Sequence, residues 1–194
     1  MRSKTCMLIF IVTLTGTILL TTGFSQENEF SASEPVLLTS AGQSADILMA
    51  RILLQKAGLD FIMDKTAAVQ KLDSVRSVIV VTGGSTKGLG AAKIDKEGEY
   101  QRVETLLTAA EKNNLPVIVM HLGGKSRRGA LSDYFNQLSA EHAHYLIVVE
   151  GGDEDGFFST IAAEKKITID KADKIANVSN ILKKIYGSKQ ENNE

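Results

Sequence analysis

Three uninterrupted apolar runs, Val78-Ile79-Val80-Val81, Val117-Ile118-Val119-Met120 and Tyr145-Leu146-Ile147-Val148-Val149, each pass straight into a polar loop that contains glycine. A strand with one wet face alternates apolar and polar residues. A run that does not alternate marks a strand covered on both faces. Between the runs the period changes. Tyr100, Val103, Leu106, Leu107 and Ala110 fall at helical spacing within Asp95 to Asn114, and Pro116 ends that segment. Apolar strands alternating with helices over short connections predict an α/β chain: a three-layer sandwich around a mostly parallel sheet, flavodoxin-like or Rossmann-like.

The remaining elements fit this frame. Val36 to Thr39 reads as a first strand, with Ser44 as N-cap of the helix that follows and Gly58 as its C-terminal stop. Ile47, Leu48, Ile52, Leu53 and Leu54 form the expected buried stripe of that helix. Asp60 to Met63 and Ile167 to Ile169 are short strands, and Ala67 to Leu72 is a short helix. Leu131 to Ala140 and Phe157 to Lys165 read as helices. Ile175, Val178, Ile181, Leu182 and Ile185 give the last helix one apolar stripe.

The N-terminus belongs to another category. Arg2 and Lys4 precede an uncharged apolar stretch, Met7 to Leu20, and Gly23 and Ser25 place small residues before Gln26. This is the layout of a secretory signal peptide, residues 1–25, with an uncleaved anchor as the rival reading. A flexible lead-in over 26–35, one domain over 36–187 and a disordered tail over 188–194 complete the expected organisation. The expected location is exported, periplasmic or extracellular, with the membrane met only through the export signal. After cleavage 20 basic residues face 23 acidic ones, a net charge of −3 that argues against nucleic-acid binding. Cys6, the only cysteine, leaves with the signal, which excludes disulfides and thiolate chemistry in the mature chain.

In an open parallel sheet the ligand crevice lies beyond the carboxyl ends of the strands. Four loops leave such ends: Ser40 to Ser44, Gly83 to Gly90, His121 to Gly129 and Glu150 to Asp155. All four carry glycine and polar groups, whereas the opposite connections are short and plain. The candidate ligand-binding residues are Ser40, Gly42, Gln43, Ser44, Gly83, Gly84, Ser85, Lys87, Gly88, His121, Gly123, Gly124, Arg127 and Arg128. Lys87, Arg127 and Arg128, with backbone N–H groups of the glycine turns, suit a small anionic or polar molecule. The plain alternative for the two arginines is a solvated loop exit or a salt bridge to the acidic loop.

Familiar motifs fail here. Thr82 to Gly90 looks like the short-chain dehydrogenase fingerprint, but has one residue too many between Gly83 and Gly88, and no tyrosine is followed by a lysine four residues later. The phosphate-loop pattern fails because Leu89 stands where lysine is required. His121 closes an apolar strand and reads as a rim histidine, a donor, base or metal ligand in the functional case. Ser40, Ser44 and Ser85 are conceivable nucleophiles beside it, but no G-x-S-x-G elbow exists. His142 and His144 lie at the other sheet edge, and no histidine pair has zinc-ligand spacing on a helix, so neither metal nor cofactor is expected. Asp153, Glu154 and Asp155 precede a helix, where carboxylates offset its positive end. Calcium is the other reading of these three.

The blocks PVLLTSAGQSAD, GGSTKGLGAAKID, HLGGKSRRGALSD and YLIVVEGGDEDGFF resemble a bacterial exported family known only as a domain of unknown function, family 6305. The resemblance covers Pro35 to about Tyr186. It implies an exported single-domain α/β protein and no particular reaction. Three functions remain open: a binding module for a small polar or anionic molecule, a hydrolase or transferase using His121 and a loop serine, and an envelope protein-interaction subunit.

Overall fold

The computed structural model describes residues 30–187. The expected signal peptide and tail lie outside the described residues. Six strands form one sheet: β1 (Val36–Ala41), β2 (Phe61–Met63), β3 (Ser77–Thr82), β4 (Val117–His121), β5 (Tyr145–Val149) and β6 (Thr168–Ala172). Their order is β2-β1-β3-β4-β5-β6, and every neighbouring pair is parallel. This is the flavodoxin-like order with one strand added. It reverses direction between β1 and β3, so the loops after those two strands part to opposite faces and define the switch point.

Six helices cover the sheet: α1 (Ile47–Ala57), α2 (Thr86–Ala92), α3 (Lys96–Lys112), α4 (Ala130–Glu141), α5 (Phe157–Lys165) and α6 (Val178–Tyr186). Alternate residues of each strand feed two separate cores. Leu37, Val78, Val80, Val117, Val119, Leu146 and Val148 pack under α3, α4 and α5. Val36, Leu38, Ile79, Val81, Ile118, Met120 and Ile147 pack under α1 and α6. Each inner strand thus buries both faces, which is why its sequence does not alternate.

Three local differences from the expected elements have physical causes. The glycine loop after β3 is itself helical, because Ser85 caps α2 by accepting from the Gly88 N–H at 3.1 Å. On α1 the buried residues are Ile47, Ala50, Leu53 and Leu54, whereas Leu48 and Ile52 face outward with Met49. A helix apolar on two sides carries two possible stripes, and its periodicity does not choose between them. The lead-in is tied down over its last residues: Phe30 stacks on Tyr145 at 5.0 Å, and the Ala32 N–H donates to the Ile185 carbonyl at 3.1 Å. Among the described residues no helix is long and apolar enough to cross a membrane.

Candidate functional site

At the switch point the loops after β1 and β3 are joined to each other. The Gly83 N–H donates to the Ala41 carbonyl at 3.0 Å and the Ser85 N–H to the Gly42 carbonyl at 2.9 Å, with a bridge between Gln43 and Gly84. Gln43 takes a left-handed φ of 59° to make this possible. The glycines do permit close approach, but to their own chain. A Cβ on Gly88 would lie 1.9 Å from the Gln43 carbonyl oxygen, and one on Gly84 2.6 Å from Leu131. Ser40, Gly42, Gln43, Ser44, Gly83 and Gly84 are all buried. The Ser44 Oγ accepts from the Asp46 N–H at 3.1 Å, a turn just ahead of the first helical residue.

A carboxylate that is not among the sequence candidates holds this arrangement. Glu99 on α3 is fully buried. It accepts from the Gly42 N–H at 3.0 Å and from Gln43 Nε2 at 2.9 Å. Its other oxygen pairs with Arg102 Nε at 2.8 Å. Arg102 in turn donates to the carbonyls of Ser40 and Ala67. The i, i+3 spacing of Glu99 and Arg102 was the one available sequence signal.

The loop after β4 forms a second polar cluster. Arg127 pairs with Asp46 at 2.9 Å, tying this loop to the start of α1. Arg128 meets Asp133 at 2.7 Å and Asp155 at 2.8 Å, donates to the Gly152 carbonyl and lies 4.7 Å from the Phe157 ring centroid. The salt bridge to the acidic loop is realised by Arg128, through Asp155, whereas Arg127 pairs with Asp46 ahead of α1 instead. The Arg128 hydrogen bond holds the Asp155 carboxyl down at about 2. Burial works to raise Asp133, but Arg128, the Gly129 N–H and Asn136 outweigh it and its carboxyl lies below the ordinary range.

His121 is fully buried rather than on an open rim. Its ring packs 4.9 Å from Phe158, its Nε2 meets the Gly124 carbonyl at 3.1 Å and its Nδ1 has no hydrogen-bond partner among the described residues. Burial pushes its pKa down, with the Gly124 carbonyl opposing. The hydrogen bonds of His121, Ser40, Ser44 and Ser85 join none of these serines to the histidine. Asp153 accepts from the N–H groups of Phe158 and Ser159 and pairs with Lys171 at 2.8 Å, so its carboxylate caps α5 as expected. Among the described residues no group of three or more acidic, histidine or cysteine side chains is placed to hold a metal ion.

Open space at the carboxyl edge lies further along the sheet. One depression of about 310 Å³ sits beyond β5 and β6, with Val148, Val149 and Ala172 as apolar floor and Glu150, Asp153, Glu154, Asp173 and Lys171 around it. A second of about 300 Å³ is lined by Lys125, Arg128, Asp133, Glu154 and Asp155. Gly151 and Glu154 border both. Of the sequence candidates only Arg128 lines this space. Lys87 is exposed on α2, and Gly123 and Gly124 pack against Arg127 and the Glu150 carbonyl. A third depression of about 510 Å³ lies on the outer side of α3, beside His142.

Fold and loops together define a doubly wound α/β domain with its polar loops at one sheet edge. The chain belongs to the family described as domain of unknown function DUF6305, which matches residues 33–186. No curated protein matches it. Among solved structures, a GDSL-like lipase from Bacteroides thetaiotaomicron VPI-5482 is 10% identical, with 70% of this chain and 66% of the lipase covered and a TM-score of 0.32. The SGNH-hydrolase family esterase AlinE4 is 10% identical, with 73% of this chain and 77% of the esterase covered and a TM-score of 0.30. The chain thus spans just under two thirds of the lipase's length. Likeness at this level carries no argument about site or reaction.

Proposed function

We propose that this domain is the folded part of an exported protein that binds a small polar molecule at the carboxyl edge of the sheet, beside the Gly151 to Asp155 loop. The supporting observation is the contrast between two halves of that edge. The switch-point loops are closed on themselves, whereas two depressions of about 310 and 300 Å³ open on either side of the β5–α5 loop. Their size lies at the small end of ligand sites, and an apolar floor with converging polar groups is the usual lining.

Charge shapes the ligand class. Arg127 and Arg128, the expected anion donors, are matched by Asp46, Asp133 and Asp155. Around the larger depression four carboxylates face one lysine. An uncharged polyol or a small amine fits this lining better than an anion, for which Lys87 remains the exposed donor. Binding is also favoured over turnover, since the enzyme reading requires a serine–histidine contact that the hydrogen bonds do not contain.

Calorimetry on the protein with sugars, amines, carboxylates and phosphates tests the reading. The expected result is saturable heat with an amine or sugar that falls at least tenfold in affinity in Glu154→Gln with Asp173→Asn. Binding of a carboxylate or phosphate that survives this pair and is lost in Lys87→Ala would move the site to α2.

A further inference from the structure

The helix layer formed by α1 and α6 is unlike the rest of the surface. Eight of the eleven residues of α1 are apolar, although only one side of the helix rests on the sheet. Leu48, Met49 and Ile52 are 46%, 41% and 51% exposed, and these positions fall within an arc of roughly 100° on the outer side. Helices that are apolar all round are normally covered all round. A single exposed leucine needs no explanation, but three adjacent ones on one ridge mark a contact surface.

The charges on the two helices themselves are of one sign. The polar residues of α1 are Arg51, Gln55 and Lys56, all exposed, and α6 carries Lys183 and Lys184; neither helix has an acidic residue. On the opposite layer, α3, α4 and α5 together carry seven acidic and four basic residues. The molecule thus presents an apolar ridge with a basic rim on one side and a net acidic surface on the other.

We propose that the α1–α6 face docks onto an anionic phospholipid bilayer, with Leu48, Met49 and Ile52 entering the headgroup boundary and Arg51, Lys56 and Lys183 meeting lipid phosphates. Apolar side chains flanked by Lys and Arg on an exposed helix are the arrangement that lies in a membrane interface. A second copy of the chain is disfavoured as occupant. A two-fold pairing of α1 with itself brings Arg51 and Lys56 against their own kind with no carboxylate on either helix. None of the three depressions described above involves α1 or α6, so this surface and the ligand reading stand independently.

The test uses the full chain with Cys6→Ser, which frees single introduced cysteines for a polarity-sensitive fluorophore. One label replaces Ile52 and another replaces Glu104 on the opposite layer. Vesicles of phosphatidylcholine containing a minority of phosphatidylglycerol are expected to shift the Ile52→Cys label to the blue and leave the Glu104→Cys label unchanged. Arg51→Gln, Lys56→Gln and Lys183→Gln together are expected to weaken the shift, by about fivefold in vesicle concentration for each charge neutralised. Equal shifts at both positions, an equal shift on pure phosphatidylcholine, or no shift would overturn the proposal. A shift without vesicles, accompanied by a doubled mass in light scattering, would assign the face to self-association instead.

Discussion

Glu99 is the residue on which the switch point should prove most dependent, and Glu99→Gln is the perturbation that isolates its charge. Glutamine keeps the shape and leaves an oxygen for the Gly42 N–H and Gln43 Nε2, which Glu99 now accepts at 3.0 and 2.9 Å. Its NH2 group, however, replaces the oxygen that receives Arg102 Nε at 2.8 Å, setting donor against donor. Glu99 has no exposed surface and the Arg102 side chain is 13% exposed, so water does little to replace the lost negative charge, although Arg102 keeps its bonds to the Ser40 and Ala67 carbonyls. Breaking a buried pair by removing one partner costs about 3–5 kcal/mol. For a domain of this size that corresponds to a fall in Tm of about 6–20 °C, at 2–4 °C per kcal/mol. Urea and thermal unfolding followed by circular dichroism measure it. Arg102→Met is expected to cost less in the Glu99→Gln background than in the wild type, with a coupling of about 1 kcal/mol or more. A Glu99→Gln protein within about 1 kcal/mol of wild type, or two strictly additive losses, would refute the claim that this pair holds the β1 loop.

Two further predictions concern the same edge. Gly88 and Gly90 occupy one helix, yet a Cβ at Gly88 meets the Gln43 carbonyl oxygen at 1.9 Å and a Cβ at Gly90 meets nothing within 4 Å. Gly90→Ala should therefore stabilise by about 0.5–1 kcal/mol, whereas Gly88→Ala should destabilise by about 1–3 kcal/mol, read as opposite shifts of the urea midpoint. His121 is held neutral by burial, so the unfolded chain takes up its proton first as pH falls. Its contribution to stability is full above about pH 6.5 and is lost progressively below that value. Unfolding free energies from pH 8 to 5 should fall more steeply for the wild type than for His121→Gln, with the His144 dependence, which has the same sign, common to both. Parallel curves would show that His121 titrates alike in the folded and unfolded chain, which would refute the reading.

What the letters could reveal follows the range of the interactions involved. The inner strands were legible because burial on both faces removes alternation, a property of each strand alone. Phe157–Lys165 was bounded correctly for a similar local reason. Glycine loops were also visible as places where backbone comes close to something, but a glycine does not name the object approached. At Gly42, Gly84 and Gly88 the object is Phe135, Leu131 and Gln43, brought there by the fold from as far as 93 residues away. The arginines hide their partners in the same way: Arg127 and Asp46 are 81 positions apart, and Arg128 and Asp155 are 27.

A cation at the carboxyl edge of a parallel sheet is therefore ambiguous between holding a ligand and holding a loop, and only the count of opposing carboxylates resolves it. Here that count turns both arginines inward and leaves net negative charge around the open space. The same kind of count, taken over helices instead of loops, leaves positive charge beside the uncovered apolar ridge of α1. Leu48 and Ile52 fitted the expected buried stripe of that helix as well as Ile47 and Leu53 did. The sheet chose one stripe and left the other free, and an apolar stripe that the fold does not use is the residue pattern most in need of a partner.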